Sequence, residues 1–188
     1  MTSRKLLLCP KDESLLRNKS LPVNVVDEGI LQLSKDLIDT LYEEGQVVLS
    51  APQIGVNKCI MAIRISTTEY DDGELTQPLI IVNPEIINIG PSERGFDDCP
   101  NLPNLFGFIN RPASVEVRGQ DLKGKPINKF LTGLDASAFQ HAFDHLNGVL
   151  YTDYVEDFDH DLFAIRYDKI GRERFIPYSY YSYLGLNE

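Results

Sequence analysis

Gln140-His141-Ala142-Phe143-Asp144-His145-Leu146-Asn147-Gly148 is the stretch whose reading decides this chain. The pattern predicts a helix from about Leu134 to Leu146, stopped by Gly148. Leu134, Ala138, His141 and His145 then share one face, and Phe139, Phe143 and Leu146 lie on another. Two imidazoles at i and i+4 have the spacing that one divalent metal needs from two ligands on one helix. Hydrolases of the H-E-x-x-H type carry a Glu after the first His, where it moves protons for metal-bound water. Here that position is Ala142. The motif therefore reads as a metal site retained and a general base removed.

Two histidines do not close a metal site. The best candidate for a third ligand is Cys99, in a loop-like run Asp97-Asp98-Cys99-Pro100-Asn101. One Cys with two His and an open fourth position is a catalytic rather than a structural arrangement. The third histidine, His160, sits among acidic residues and reads as a solvated side chain.

Outward from this centre, residues 27–44 carry Ile30, Leu31, Leu33, Leu37, Ile38, Leu41 and Tyr42 at helical spacing, with Asp27 as N-cap and Gly45 as stop. Gln46–Ala51, Lys58–Ile65 and Pro78–Ile89 read as strands, with Asp71-Asp72-Gly73 as the clearest turn. Ser114–Asp121 and Pro126–Leu131 read as a hairpin. Short strands with two helices and no regular alternation indicate an α+β fold with antiparallel sheet. Residues 155–188 form a tail that is acidic at Glu156-Asp157-Phe158-Asp159-His160-Asp161 and then aromatic at Phe175, Tyr178, Tyr180, Tyr181 and Tyr183. Such a tail either packs on residues 1–154 or docks a protein partner.

The chain has 188 residues, 43% hydrophobic and 24% charged, which suits one domain with a real core. Its net charge of -10 argues against a nucleic-acid or anionic-membrane surface. The three cysteines do not form a disulfide framework, Leu6-Leu7-Leu8 is too short for a signal peptide, and no apolar run is long enough for a membrane span. The expected setting is a reducing cytoplasm.

Over residues 5–154 the chain resembles the peptide deformylases. The family's first signature, G-x-G-x-A-A-x-Q, falls on Gln46-Val47-Val48-Leu49-Ser50-Ala51-Pro52-Gln53. The second, E-G-C-L-S, falls on Asp97-Asp98-Cys99-Pro100-Asn101, and the third, Q-H-E-x-D-H-L-x-G, on Gln140–Gly148. Pro10 to Val23, Val82-Asn83-Pro84-Glu85, Arg111-Pro112 and Leu150 to Asp153 agree in order and spacing. The likeness is greatest to the compact forms found in phages, which would place the protein in a host cytoplasm. The resemblance implies antiparallel sheets around a central metal-binding helix. It implies a divalent ion, Fe²⁺ or Zn²⁺ and in some cases Ni²⁺, on Cys99, His141 and His145. It implies that Gln53 meets the substrate carbonyl oxygen, that Arg111 and Asp144 support the ligands, and that the substrate is a peptide with N-terminal formyl-methionine.

The departures from the family bear on activity. Ala142 has no proton-accepting group, and a placed acid or base is typically worth about 10²–10⁴ in rate. Pro100 stands where the family's Leu offers a backbone N–H to the oxyanion, and proline has none. Losing one such donor costs on the order of 10²–10³. Gln46 and Val48 replace glycines, Ser50 replaces a small Ala, and Asp98 replaces a Gly. Losses in all three signatures point to a pseudoenzyme of the family. The alternatives are an active deformylase with weak activity or a substituted base, such as Asp97 or Asp98, and a structural subunit built on the fold.

Overall fold

The computed structural model describes residues 3–66, 76–167 and 170–178. A short helix α1 (Glu13–Leu16) precedes α2 (Glu28–Glu43). The Asp27 side chain caps α2 by accepting from the Ile30 amide at 2.9 Å, and Gly45 ends the turn beyond it at a φ of 64°. Ile30, Leu33, Leu37 and Leu41 bury one stripe of α2. The strands β1 (Val48–Ser50), β2 (Ile60–Ile63), β3 (Leu79–Ile89), β4 (Ser92–Asp98), β5 (Leu105–Pro112), β6 (Ser114–Gln120) and β7 (Pro126–Thr132) lead into α3 (Gly133–Leu146). Strands β8 (Leu162–Tyr167) and β9 (Glu173–Pro177) follow.

Five strands form one antiparallel sheet in the order β1-β2-β3-β6-β7. The helices α2 and α3 cover its two faces, which explains why β2 is continuously apolar. Ile60 and Ala62 pack with the Leu33, Leu37 and Leu41 stripe of α2. Met61 and Ile63 pack on the other side with Phe139, Ala142 and Leu146 of α3. A strand covered on both faces has no reason to alternate with polar residues. The second sheet, β4-β5-β8-β9, encloses a smaller core of Leu16, Cys99, Ile109, Leu150, Tyr151 and Leu162. The metal motif on α3 therefore lies where the two cores meet.

Gly148 fixes the exit from α3. Its φ is 73°, and a Cβ there would sit 2.2 Å from the Arg17 carbonyl oxygen. Only glycine fits this turn.

The structure corrects the sequence reading in several places. The first strand is only Val48–Ser50, because Ala51–Ile54 turns into a 3₁₀ helix with Pro52 in its first turn. Asp97 and Asp98 are not loop residues: they end β4, which pairs with β5 in a hairpin absent from the sequence reading. Leu134 does not share a buried face with the two histidines and is 63% exposed, at the start of α3 where the helix has not yet reached the core. The turn at Asp71-Asp72-Gly73 and the residues Tyr180, Tyr181 and Tyr183 lie outside the described residues. Among those described, no helix is long and apolar enough to cross a membrane.

Candidate metal centre

α3 projects His141 and His145 one turn apart, with ring centroids 5.1 Å from each other. Cys99 reaches them from the turn that ends β4. The candidate ligand atoms of Cys99, His141 and His145 all lie within 4.8 Å of one another, and all three residues are buried. Cys99 Sγ is 3.2 Å from His145 Nε2.

The residues fit a divalent metal. His141 Nδ1 lies 2.8 Å from Asp97 Oδ1, so a proton on Nδ1 is donated to that carboxylate. The neutral form with its proton on Nδ1 leaves Nε2 as a lone pair, and Nε2 is buried with no hydrogen-bond partner among the described residues. An unmatched buried nitrogen is costly, and a metal ion would satisfy it. One thiolate and two imidazoles form a borderline-soft set suited to Zn²⁺ or Fe²⁺.

Burial alone would pull the His141 pKa down. The hydrogen bond to Asp97 and the Cys99 sulfur overcome it, and the pKa rises to about 10 when no metal is bound. Burial and the neighbouring His141 hold His145 well below the ordinary imidazole range, so it is neutral. Burial would raise Asp97, but His141 and Arg111 together hold it below the usual carboxylate value. A metal held at Nε2 would take the place of a proton, so its binding would release protons.

Behind the ligands runs a chain of buried charge. Arg111 Nε donates to Asp97 Oδ2 at 2.8 Å, and its Nη1 donates to Asp144 Oδ2 at 2.7 Å. The Tyr154 hydroxyl donates to the other Asp144 oxygen at 2.9 Å, and the Arg111 guanidinium lies over the Tyr154 ring. Arg111 thereby joins β4, which carries Asp97 beside Cys99, to α3, which carries both histidines.

Gln53 is 1% exposed, in the 3₁₀ helix. Its Oε1 accepts from the Ser50 amide at 2.8 Å and the Ser50 hydroxyl at 2.9 Å. Its Nε2 donates to Asn101 Oδ1 at 2.9 Å. Asn101 in turn donates to the carbonyls of Leu7 and Gln53. Ser50 therefore fixes which end of the Gln53 amide is the donor, and one Nε2 hydrogen is spent on Asn101.

Ala142 is fully buried, in a cluster with Val48, Met61, Phe139 and Leu146. Asp97 is committed to His141 and Arg111. Asp98 pairs with Phe106 across the hairpin, on the opposite face of β4 from Asp97. His160 is exposed, paired with Asp157, and not part of the buried Cys99, His141 and His145 group. The sequence reading had not found Asp97 as the His141 partner, nor Asn101 and Tyr154. A carboxylate two residues before the metal Cys, on the same face of a strand, was the available signal.

A model of the polypeptide deformylase family matches residues 4–161. The peptide deformylase of Rhizobium meliloti (strain 1021) is 32% identical over 175 residues, covering 93% of this chain and 97% of that protein. The crystal structure of a peptide deformylase from Legionella pneumophila superposes with a TM-score of 0.73 at 33% identity, over 82% of this chain and 86% of that one. A class I type b peptide deformylase from Acinetobacter baumannii, crystallised with Met-Ala-Ser bound, gives a TM-score of 0.73 at 25% identity, over 82% of this chain and 100% of that one. With the family model spanning most of its length, this chain belongs to the polypeptide deformylase family.

Proposed function

We propose that this chain is a deformylase-fold metalloprotein that holds a divalent ion and a peptide end but has lost efficient deformylation, so that it acts by binding. The observation that carries the reading is the contrast at α3. Cys99, His141 and His145 converge within 4.8 Å, while the position beside His141 is Ala142, buried among apolar side chains. Proton transfer at that position needs an acid or base, and a methyl group supplies none.

Cys99, His141 and His145 would hold the ion, Fe²⁺ or Zn²⁺ being the metals that the ligand set suits. When bound, such an ion polarises a carbonyl oxygen and lowers the pKa of bound water. Asp97 orients His141, and Arg111 holds Asp97 in place. Gln53 keeps one Nε2 hydrogen uncommitted by its bond to Asn101, available to a carbonyl oxygen of the ligand. Pro100 offers no amide hydrogen, so the site has one oxyanion donor fewer than the family pattern. Asp97 cannot stand in for the missing base without releasing His141 and Arg111.

The ligand class is a peptide with an N-terminal formyl-methionine, or the corresponding free methionine end. The Acinetobacter baumannii relative bound to Met-Ala-Ser supports that class. β1 also stands at the edge of its sheet among the described strands, where an extended peptide can add as a further strand. Titration of zinc-loaded protein with formyl-Met-Ala-Ser, followed by mass analysis of the recovered peptide, tests the reading. Saturable binding with the formyl group intact is expected. Absence of binding, or rapid loss of formyl, contradicts it.

A further inference from the structure

Asn101 is fully buried two residues after Cys99, and its side chain bonds to groups on three sides. Its Nδ2 donates to the Leu7 carbonyl at 2.7 Å and to the Gln53 carbonyl at 3.0 Å. A carbonyl only accepts, so this end of the amide is the nitrogen and the other end is Oδ1. Oδ1 lies 2.9 Å from Gln53 Nε2 and 3.5 Å from Cys99 Sγ. One atom of Asn101 therefore stands between the Gln53 amide and the candidate ligand sulfur.

The backbone holds both amides still. The Cys9 amide donates to the Asn101 carbonyl at 2.8 Å, and the Leu7 amide donates to the Gln53 carbonyl at 2.9 Å. The segment from Leu7 to Cys9 thus ties the turn after Cys99 to the 3₁₀ helix that carries Gln53.

Ser50 and Asn101 divide the work on Gln53. The Ser50 amide and hydroxyl both donate to Gln53 Oε1, which decides that the other end of the side chain is the donor. They do not decide where that donor points, because the side chain can still swing about Oε1. Asn101 Oδ1 accepts one Nε2 hydrogen, and the planar amide then fixes the direction of the second. The family's second signature has Ser where this chain has Asn101. A serine hydroxyl donates one hydrogen and cannot serve both carbonyls.

We propose that Asn101 is a positioning residue for ligand recognition, which aims the second Nε2 hydrogen of Gln53 at a carbonyl oxygen of the bound peptide end. The inference rests on the peptide-binding reading above. Asn101 acts through Gln53 and does not itself touch the ligand.

The test is a double-mutant cycle on the zinc-loaded full chain, with formyl-Met-Ala-Ser as the probe. Its affinity is measured for the parent, Asn101→Ala, Gln53→Ala and the double variant. Asn101→Ala is expected to weaken binding about three- to tenfold, the worth of one well-directed hydrogen bond. In the Gln53→Ala background the same change is expected to have almost no effect, because the group it aims is gone. Equal losses in both backgrounds would make Asn101 a structural clamp only and overturn the proposal. Unchanged affinity in Asn101→Ala overturns it as well. Failure of the parent to bind the peptide overturns the functional reading and this proposal together. Where a variant does not fold, nuclear magnetic resonance of the Gln53 side-chain amide in the parent decides. When peptide binds, one Nε2 proton signal is expected to move while the other, held by Asn101, stays. Movement of both signals, or of neither, refutes the proposal.

Discussion

Ala142→Glu is the perturbation that separates the two departures, at Ala142 and Pro100, on which the proposed loss of activity rests. Ala142 is completely buried beside Val48, Met61, Phe139 and Leu146. The substitution adds a carboxyl group and its stem to that packed cluster, and overpacking a core costs typically about 1–3 kcal/mol. Burial among these apolar side chains also raises the pKa of the introduced carboxyl. On the chemical side, a restored base is worth about 10²–10⁴ in rate. The Pro100 defect stays, at a cost on the order of 10²–10³, which is roughly 3–4 kcal/mol of transition-state stabilisation. The single variant should therefore be less stable than the parent, should release formate measurably, and should fall well short of an intact family member. Val48→Gly in the same background should recover stability, because Val48 and Ala142 share one cluster and the valine stands where the family has glycine. Pro100→Leu should recover part of the remaining rate. Formate release per bound metal, with thermal melting of each variant, reads both quantities. Full family-like turnover from Ala142→Glu alone would refute the argument about the missing amide donor. Unchanged stability would refute the packing argument.

Arg111→Ala should destabilise the fold by about 3–5 kcal/mol, because it leaves Asp97 and Asp144 buried without their shared cation; a loss below 1 kcal/mol in denaturant titration would contradict the network. Gly148→Ala should cost at least about 1–3 kcal/mol from the positive φ, with the clash against Arg17 added, and thermal melting checks it. Asp97 and Asp144 should shape the acid limb of metal-free stability in opposite senses. Asp97 is depressed in the folded state, so its contribution is present above the ordinary carboxylate range and is lost as pH falls through its folded value. Burial, opposed by Arg111, leaves Asp144 raised, so between its unfolded and folded values stability falls as pH rises. Asp97→Asn should accordingly make the acid limb shallower and Asp144→Asn should make it steeper, and equal slopes in both variants would refute the assignment.

The two long helices were legible in the sequence because each writes its burial as a stripe. Ile30, Leu33, Leu37 and Leu41 mark the core face of α2, and the spacing of His141 and His145 marks the metal face of α3. The β4–β5 hairpin was not legible for a physical reason. Ser92-Glu93-Arg94-Gly95-Phe96-Asp97-Asp98 has only Phe96 as a large apolar residue, because most of β4 is exposed and its one buried inward position, Asp97, holds a carboxylate for His141. A strand that serves a site instead of a core lacks hydrophobic alternation. Asn101 was invisible for a different reason: its partners, Leu7 and Gln53, are remote in sequence, and only the fold brings them together. The candidate ligand set could be proposed from the sequence, since Cys99, His141 and His145 are the residue types that metal chemistry demands, and the fold brings the three together. Which carboxylate was already spent could be seen only from the hydrogen bonds of Asp97.

Formate release from a formyl-Met-Ala-Ser peptide, by protein loaded anaerobically with Fe²⁺ and assayed for one metal per chain, tests the central claim most directly. The account predicts a filled metal site with turnover lower than that of an intact family member by a factor of about 10² or more. Turnover at the level of an intact member, abolished by Cys99→Ala, would show that another group supplies the base, and would contradict it.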